Sequence, residues 1–141
     1  MPTASPNAYA ASATHDIRSD STLSIAKPSD VAIGDLMVAC IGIATSNGTV
    51  TPPSGWTLHA HHSTSDWVIH SIFYRVATSA DNGSPSYAFT CTGGPYTEGV
   101  IFRVTDFNPS TPMDTPYTFA TGMSGSTRPN AGITTTEDYT L

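Results

Sequence analysis

The sequence is short of charge. Asp, Glu, Lys and Arg make up 11% of its 141 residues, against about 25% in an average globular domain. Lysine is nearly absent, and no run of Lys or Arg occurs. That excludes a surface built to track nucleic-acid phosphates. No apolar run reaches the roughly 18 residues that a membrane span needs. The first residues, MPTASPNAYAASATHD, lack both a basic segment and an apolar one. They do not read as a standard signal peptide, and the expectation is a chain made and kept in a cytoplasm. Cysteine is scarce too. Cys40 and Cys91 lie far apart in strand-like segments, and in a reducing compartment they read as two small buried hydrophobes. Finally, no stretch holds a 3.6-residue apolar period over three turns, which argues against a helical fold.

What the sequence has in quantity is turn chemistry. Gly and Pro number 11 each, and Ser and Thr are abundant. Between the turns stand short alternating segments. Leu23 and Ile25 mark a half-buried strand over residues 21–26. Residues 36–44, LMVACIGIA, are apolar on both faces and read as a central strand. Residues 57–62, 67–77, 86–91 and 98–104 follow as further strands, separated by Asn-Gly and Gly-Pro turns. Trp67, Phe73, Tyr87, Phe89 and Phe102 read as core. The three prolines between Asp106 and Pro116 rule out a regular element there. The expected fold is all-β, an antiparallel β-sandwich. Residues 1–20 read as an extended N-terminal arm and residues 21–141 as a single sandwich domain.

A search for chemistry returns little. His59, His61 and His62 cluster on one strand, with His70 on the next. His59 and His61 are two apart and would share a face. No carboxylate or Cys recurs at ligand spacing, so the reading is a solvated strand face, with a metal pair or a proton-sensitive contact as its rivals. Asp35, Asp66, Asp81, Asp106 and Asp114 fall in turns beside Gly, Ser, Asn or Pro, where Asx capping uses them. Nothing pairs two of them across a cleft, as a glycosidase requires. Gly122-Met123-Ser124-Gly125 misses the last position of a nucleophile elbow. Thr92-Gly93-Gly94 lacks the G-K-[ST] of a phosphate loop. No catalytic residue, metal or cofactor is expected.

Five pieces occur in a recognisable order. They are Gly34-Asp35-Leu36, the turn Pro52-Pro53-Ser54-Gly55-Trp56, Tyr74 to Ala77, Pro85 to Phe89, and the segment from Arg103 to Asp114. Together they resemble a domain recurrent in structural proteins of tailed phages, in prophage regions and in some bacterial surface proteins. The resemblance covers about residues 23–114. It implies a jelly-roll-like sandwich in a virion, as a small capsid decoration or tail-associated subunit made in the bacterial cytoplasm. It brings no catalytic residues; taken with the low charge and the extended arm, it leads to the expectation of a homo-oligomer, a trimer, bound to capsid or tail proteins. The pattern continues into a further apolar strand where this sequence reaches Leu141. The expectation is therefore a sandwich that lacks its last strand or borrows one from a neighbouring subunit.

The alternative is a carbohydrate- or receptor-binding module. Tyr96, Phe107 and Tyr117 lie in or near loops, where exposed rings could stack on the apolar face of a host glycan. Pro52, Pro53, Gly55 and Trp56 read as architecture. The prolines hold the chain extended, Gly55 is free to take φ > 0, and Trp56 drops into the core.

Overall fold

The computed structural model describes residues 9–16, 21–63 and 68–113, the first of these as a backbone strand only. Eight strands follow one another: β1 (Tyr9–Asp16), β2 (Thr22–Ala26), β3 (Leu36–Ile43), β4 (Thr49–Thr51), β5 (Thr57–Ser63), β6 (Ile69–Val76), β7 (Ser86–Thr92) and β8 (Thr97–Val104). They form a five-stranded sheet, β1-β8-β3-β6-β5, and a three-stranded sheet, β2-β7-β4. Every pairing is antiparallel. The protein is thus an all-β sandwich. From β1 to β5 the chain changes sheet at every step, and the order 1-8-3-6 facing 2-7-4 wraps it as a jelly roll. In that plan β5 would extend the smaller sheet beside β4. It pairs with β6 instead, because a short connection makes those two strands a hairpin. Among the described residues no helix is long and apolar enough to cross a membrane.

Alternation builds the core. Along β3, Met37, Ala39, Ile41 and Ile43 point to the smaller sheet, and Leu23, Ile25 and Phe89 of β2 and β7 meet them. All are at most 2% exposed. Phe73 of β6 packs on Phe89 with ring centroids 5.8 Å apart. Each such ring or branched side chain, fully buried, contributes roughly 1.5–3 kcal/mol. Leu23, Ile25, Phe73 and Phe89 are the residues that the period-2 reading of β2, β6 and β7 selects; β3, apolar on both faces, gives no such choice from sequence.

Three features differ from the sequence reading. Tyr9–Asp16 is extended as expected, but it lies on β8 as an edge strand, from Tyr9 opposite Val104 to Asp16 opposite Thr97. Thr49–Thr51 is a short strand on β7, with Thr51 opposite Thr90. Phe102 is not in the core. On β8 the row facing the smaller sheet is Thr97, Gly99, Ile101 and Arg103; of the opposite row, Val100 and Phe102 are half-buried, and Val104 is buried opposite Leu36. The cause is Gly99. A Cβ there would come within 2.7 Å of Ile25 and Ile41 and 2.9 Å of Leu23. The branched side chains of β2 and β3 fill that space, so β8 must turn its poorer row inward. Trp67, the other ring read as core, lies outside the described residues, as do the turn carboxylates Asp66 and Asp114 and the rest of residues 1–8, 17–20, 64–66 and 114–141.

Candidate functional site

The turn from Pro52 to Trp56 is framework. Its closing hydrogen bond runs from Trp56 N–H to the Pro53 carbonyl at 3.5 Å. Pro52 and Pro53 are half-buried, and Gly55 takes φ +89°. Trp56 is 8% exposed and meets Tyr87 and Phe89 edge-on, at centroid distances of 5.2 and 5.5 Å. Over the turn lies Arg75, whose Nη1 donates to the Ser54 carbonyl at 2.8 Å. Its Nε and Nη2 both donate to Asp81 Oδ2, at 3.1 and 3.0 Å.

Asp81 ends a single 3-10 turn (Ser79–Asp81) and is 3% exposed. Besides Arg75 it accepts from Thr78 N–H at 2.8 Å, Thr78 Oγ1 at 3.1 Å and the Tyr87 hydroxyl at 2.8 Å. Burial alone would raise its pKa. The Thr78 backbone, Arg75, Tyr87 and the Thr78 hydroxyl outweigh it and hold the carboxyl down at about 2. Burial and the neighbouring carboxylate push the Tyr87 phenol up in turn. Every polar atom of this cluster is engaged in holding loops together. Asp35 is used likewise. Its Oδ2 accepts from Ala32 N–H at 2.8 Å and from Arg103 Nε at 2.7 Å.

The histidines are split by a bulge. Between Leu58 and Ala60 the β5–β6 register shifts by the width of His59. His61 therefore faces the smaller sheet, with Nδ1 3.0 Å from Ser71 Oγ, and His62 sits directly opposite His70. His59 lies half-buried at the bulge, edge-on to Tyr74 with centroids 6.4 Å apart. Burial lowers its pKa. Among the described residues no group of three His, Cys, Asp or Glu is placed to hold a metal ion.

The outward face of the larger sheet carries a continuous lateral row. His62 opposes His70, His70 opposes Gly42, Gly42 opposes Glu98, and Glu98 opposes His15. One residue from each of five strands stands in register. Gly42 leaves a gap in the middle. A Cβ on it would lie 3.4 Å from Glu98 Cγ, 3.6 Å from Glu98 Oε1 and 3.9 Å from His70 Nδ1. The carboxylate and the imidazole thus lean over the bare backbone from both sides. Around this gap is a cleft of about 330 Å³, at the lower end of the roughly 300–1,000 Å³ range of small-ligand sites. Val68 and Tyr96 complete its walls.

Tyr96 is 55% exposed, yet its backbone is fixed, because its carbonyl accepts the Ala44 N–H at 3.0 Å. Of the two stacking candidates that lie among the described residues, Tyr96 lines this cleft and Phe107 does not. Phe107 is half-buried beyond the other end of β8, roughly 25 Å of strand away. Tyr117 lies outside the described residues. Sequence reading passed over Gly42, Glu98 and the pairing of His62 with His70. A glycine flanked by apolar residues gives no signal until its two cross-strand neighbours are known. Comparison of this chain with protein-family models, with curated proteins and with solved structures finds no match.

Proposed function

We propose that this chain is a non-enzymatic structural subunit of a tailed-phage particle, a small head-decoration or tail-associated protein that assembles as a homotrimer. One observation carries the reading. The pieces that resemble the phage domain are joined to one another, and their polar groups are used in the joining. Asp35 of the first piece grips Arg103 of the last at 2.7 Å. Arg75, inside the third, covers the Gly55 turn of the second and holds the Ser54 carbonyl. Asp81 takes Arg75 on one side and Tyr87, of the fourth piece, on the other. Residues that a hydrolase would need free serve here as braces between loops. Such a set suits a rigid module that is copied from one particle to the next.

The test is location and stoichiometry. Antibody-labelled particles in the electron microscope are expected to carry label at one position on head or tail. Sedimentation equilibrium of the purified chain is expected to give three times the monomer mass. Purified particles without the protein would overturn the particle assignment, and a monomer at all concentrations would overturn the trimer.

A further inference from the structure

We propose that Asn82-Gly83 is a site of spontaneous covalent modification, where the asparagine converts to aspartate and isoaspartate through a succinimide. The sequence holds a second Asn-Gly pair, Asn47-Gly48, which the fold protects. In an unfolded chain both pairs are competent, because a glycine places no side chain in the way of its own attacking nitrogen. The structure separates them.

Asn82 and Gly83 are both exposed. Asn82 follows the 3-10 turn with φ −61° and ψ −33°, and its N–H donates to the Ser79 carbonyl at 3.3 Å. Among the described residues no backbone carbonyl accepts the Gly83 N–H. A Cβ on Gly83 would meet nothing within 4 Å. To react, the Gly83 nitrogen must swing toward Asn82 Cγ by rotation about ψ of Asn82. The hydrogen bond that resists this runs from Ser84 N–H to the Asp81 carbonyl and is 3.2 Å long. Asn47-Gly48 has no such freedom. A Cβ on Gly48 would collide with the Thr92 carbonyl and come within 2.7 Å of Thr45 Cγ2. Gly93 adjoins the same peptide so closely that a Cβ on it would lie 2.9 Å from Gly48 Cα and 3.3 Å from Gly48 N. On either side, Asn47 N–H donates to Thr45 Oγ1 at 3.4 Å and Thr49 N–H to Thr92 Oγ1 at 3.1 Å. The Asn47–Gly48 peptide turns only if β4 parts from β7.

The chemistry needs water and base alone. Hydroxide loosens the Gly83 amide proton, and the nitrogen attacks Asn82 Cγ. The side-chain nitrogen leaves as ammonia, taking up a proton in place of the one Gly83 lost. Water then opens the ring at either carbonyl. One opening restores the main chain with an aspartate. The other leaves the main chain running through the former side chain, as isoaspartate. One water is consumed and one ammonia released, with no change of oxidation state. Isoaspartate adds a carbon to the main chain just after Asp81. That turn aims the Asp81 carboxylate at Arg75 and Tyr87, so conversion loosens the brace. The assignment is independent of the particle reading, since it rests on two turns within one chain.

The experiment incubates the whole chain at mildly alkaline pH and body temperature, native and in urea. Timed samples are mapped by peptide mass spectrometry with electron-transfer fragmentation, which distinguishes isoaspartate from aspartate. In the native protein Asn82 is expected to convert at least about tenfold faster than Asn47, because Asn47 reacts only from an opened turn. In urea the two rates should converge. Gly83→Ala keeps the fold, since its Cβ has open space and its φ lies outside the left-handed region. It should slow conversion at Asn82 severalfold and leave Asn47 unchanged. Equal native rates, or an Asn82 that stays intact while both sites convert in urea, would overturn the proposal. An unchanged rate in Gly83→Ala would overturn the succinimide route. The isoaspartate fraction, isolated by ion exchange, should melt below Asn82→Asp, which carries the same charge on an unlengthened chain. Equal melting temperatures would overturn the loosening of the Asp81 brace.

Discussion

Arg75 occupies the space that a side chain on Gly55 would need. A Cβ at residue 55 would collide with its Nη1, the same atom that holds the Ser54 carbonyl. Two requirements therefore meet at one residue, a positive φ and an absent Cβ. Gly55→Ala should cost about 2 kcal/mol or more, since it strains the backbone and expels the guanidinium from its pocket. Urea unfolding reads this as a lower midpoint with an unchanged slope. A shift below about 0.5 kcal/mol would mean that Arg75 can leave without loss.

Asp81 supplies a pH dependence with a definite sign. Its carboxyl falls from 3.8 to about 2 on folding. A depressed carboxylate stabilises the fold above its unfolded pKa, and that stability is lost as pH falls from about 4 through about 2. The loss should amount to about 2–3 kcal/mol. Asp81→Asn should remove this acid limb and cost about 3 kcal/mol at neutral pH, because it leaves Arg75 unpaired at a largely buried site. Stability measured from pH 7 to pH 2 in both proteins checks it. Parallel curves would assign the acid sensitivity to other groups.

Much of this fold could be read from alternation alone. Leu23, Ile25, Phe73, Tyr87 and Phe89 all lie where a period of two places them. The turn at Gly55 was legible because Pro, Gly and Trp each carry a local conformational or burial preference. What failed to show has a common cause, which is pairing between distant segments. Phe102 outranks Gly99 in hydrophobicity, and only Leu23, Ile25 and Ile41 pressing on that glycine explain why its row turns inward. His61 and His62 exchange faces because of a bulge at His59, which a single strand read in isolation does not reveal. Asp81 could be recognised as a turn residue. That it would gather Arg75, Thr78 and Tyr87 depends on where β6 and β7 end.

Trp56 offers a comparison within one side chain. Its ring is buried against Tyr87 and Phe89, and its Nε1 is buried with no hydrogen-bond partner among the described residues. Trp56→Ala should cost about 3–5 kcal/mol in lost contact and cavity. Trp56→Phe should cost less than about 2 kcal/mol, because it keeps most of the apolar contact and removes an unsatisfied donor. Thermal unfolding of the two variants gives the ordering. Equal losses would show that the indole N–H is satisfied in solution.

The two cysteines should stay apart and stay inert. Cys40 stands on the outward row of β3, opposite Ile72 and Val100. Cys91 points from β7 into the core. Facing sheets lie about 10 Å apart, and a disulfide needs Cα atoms within about 7 Å. Burial raises both thiol pKa values, that of Cys91 to about 11. At about pH 8 a thiol at that value carries a few hundredfold less thiolate than an unfolded one, and burial slows access further. Iodoacetamide should therefore modify Cys91 at least about 200-fold more slowly in the native protein than in urea. Peptide mapping after timed quenching separates the two sites. Fast native labelling of Cys91 would show that the sheet β2-β7-β4 opens far more readily than its packing implies, because alkylation would then report local unfolding rather than thiol ionisation.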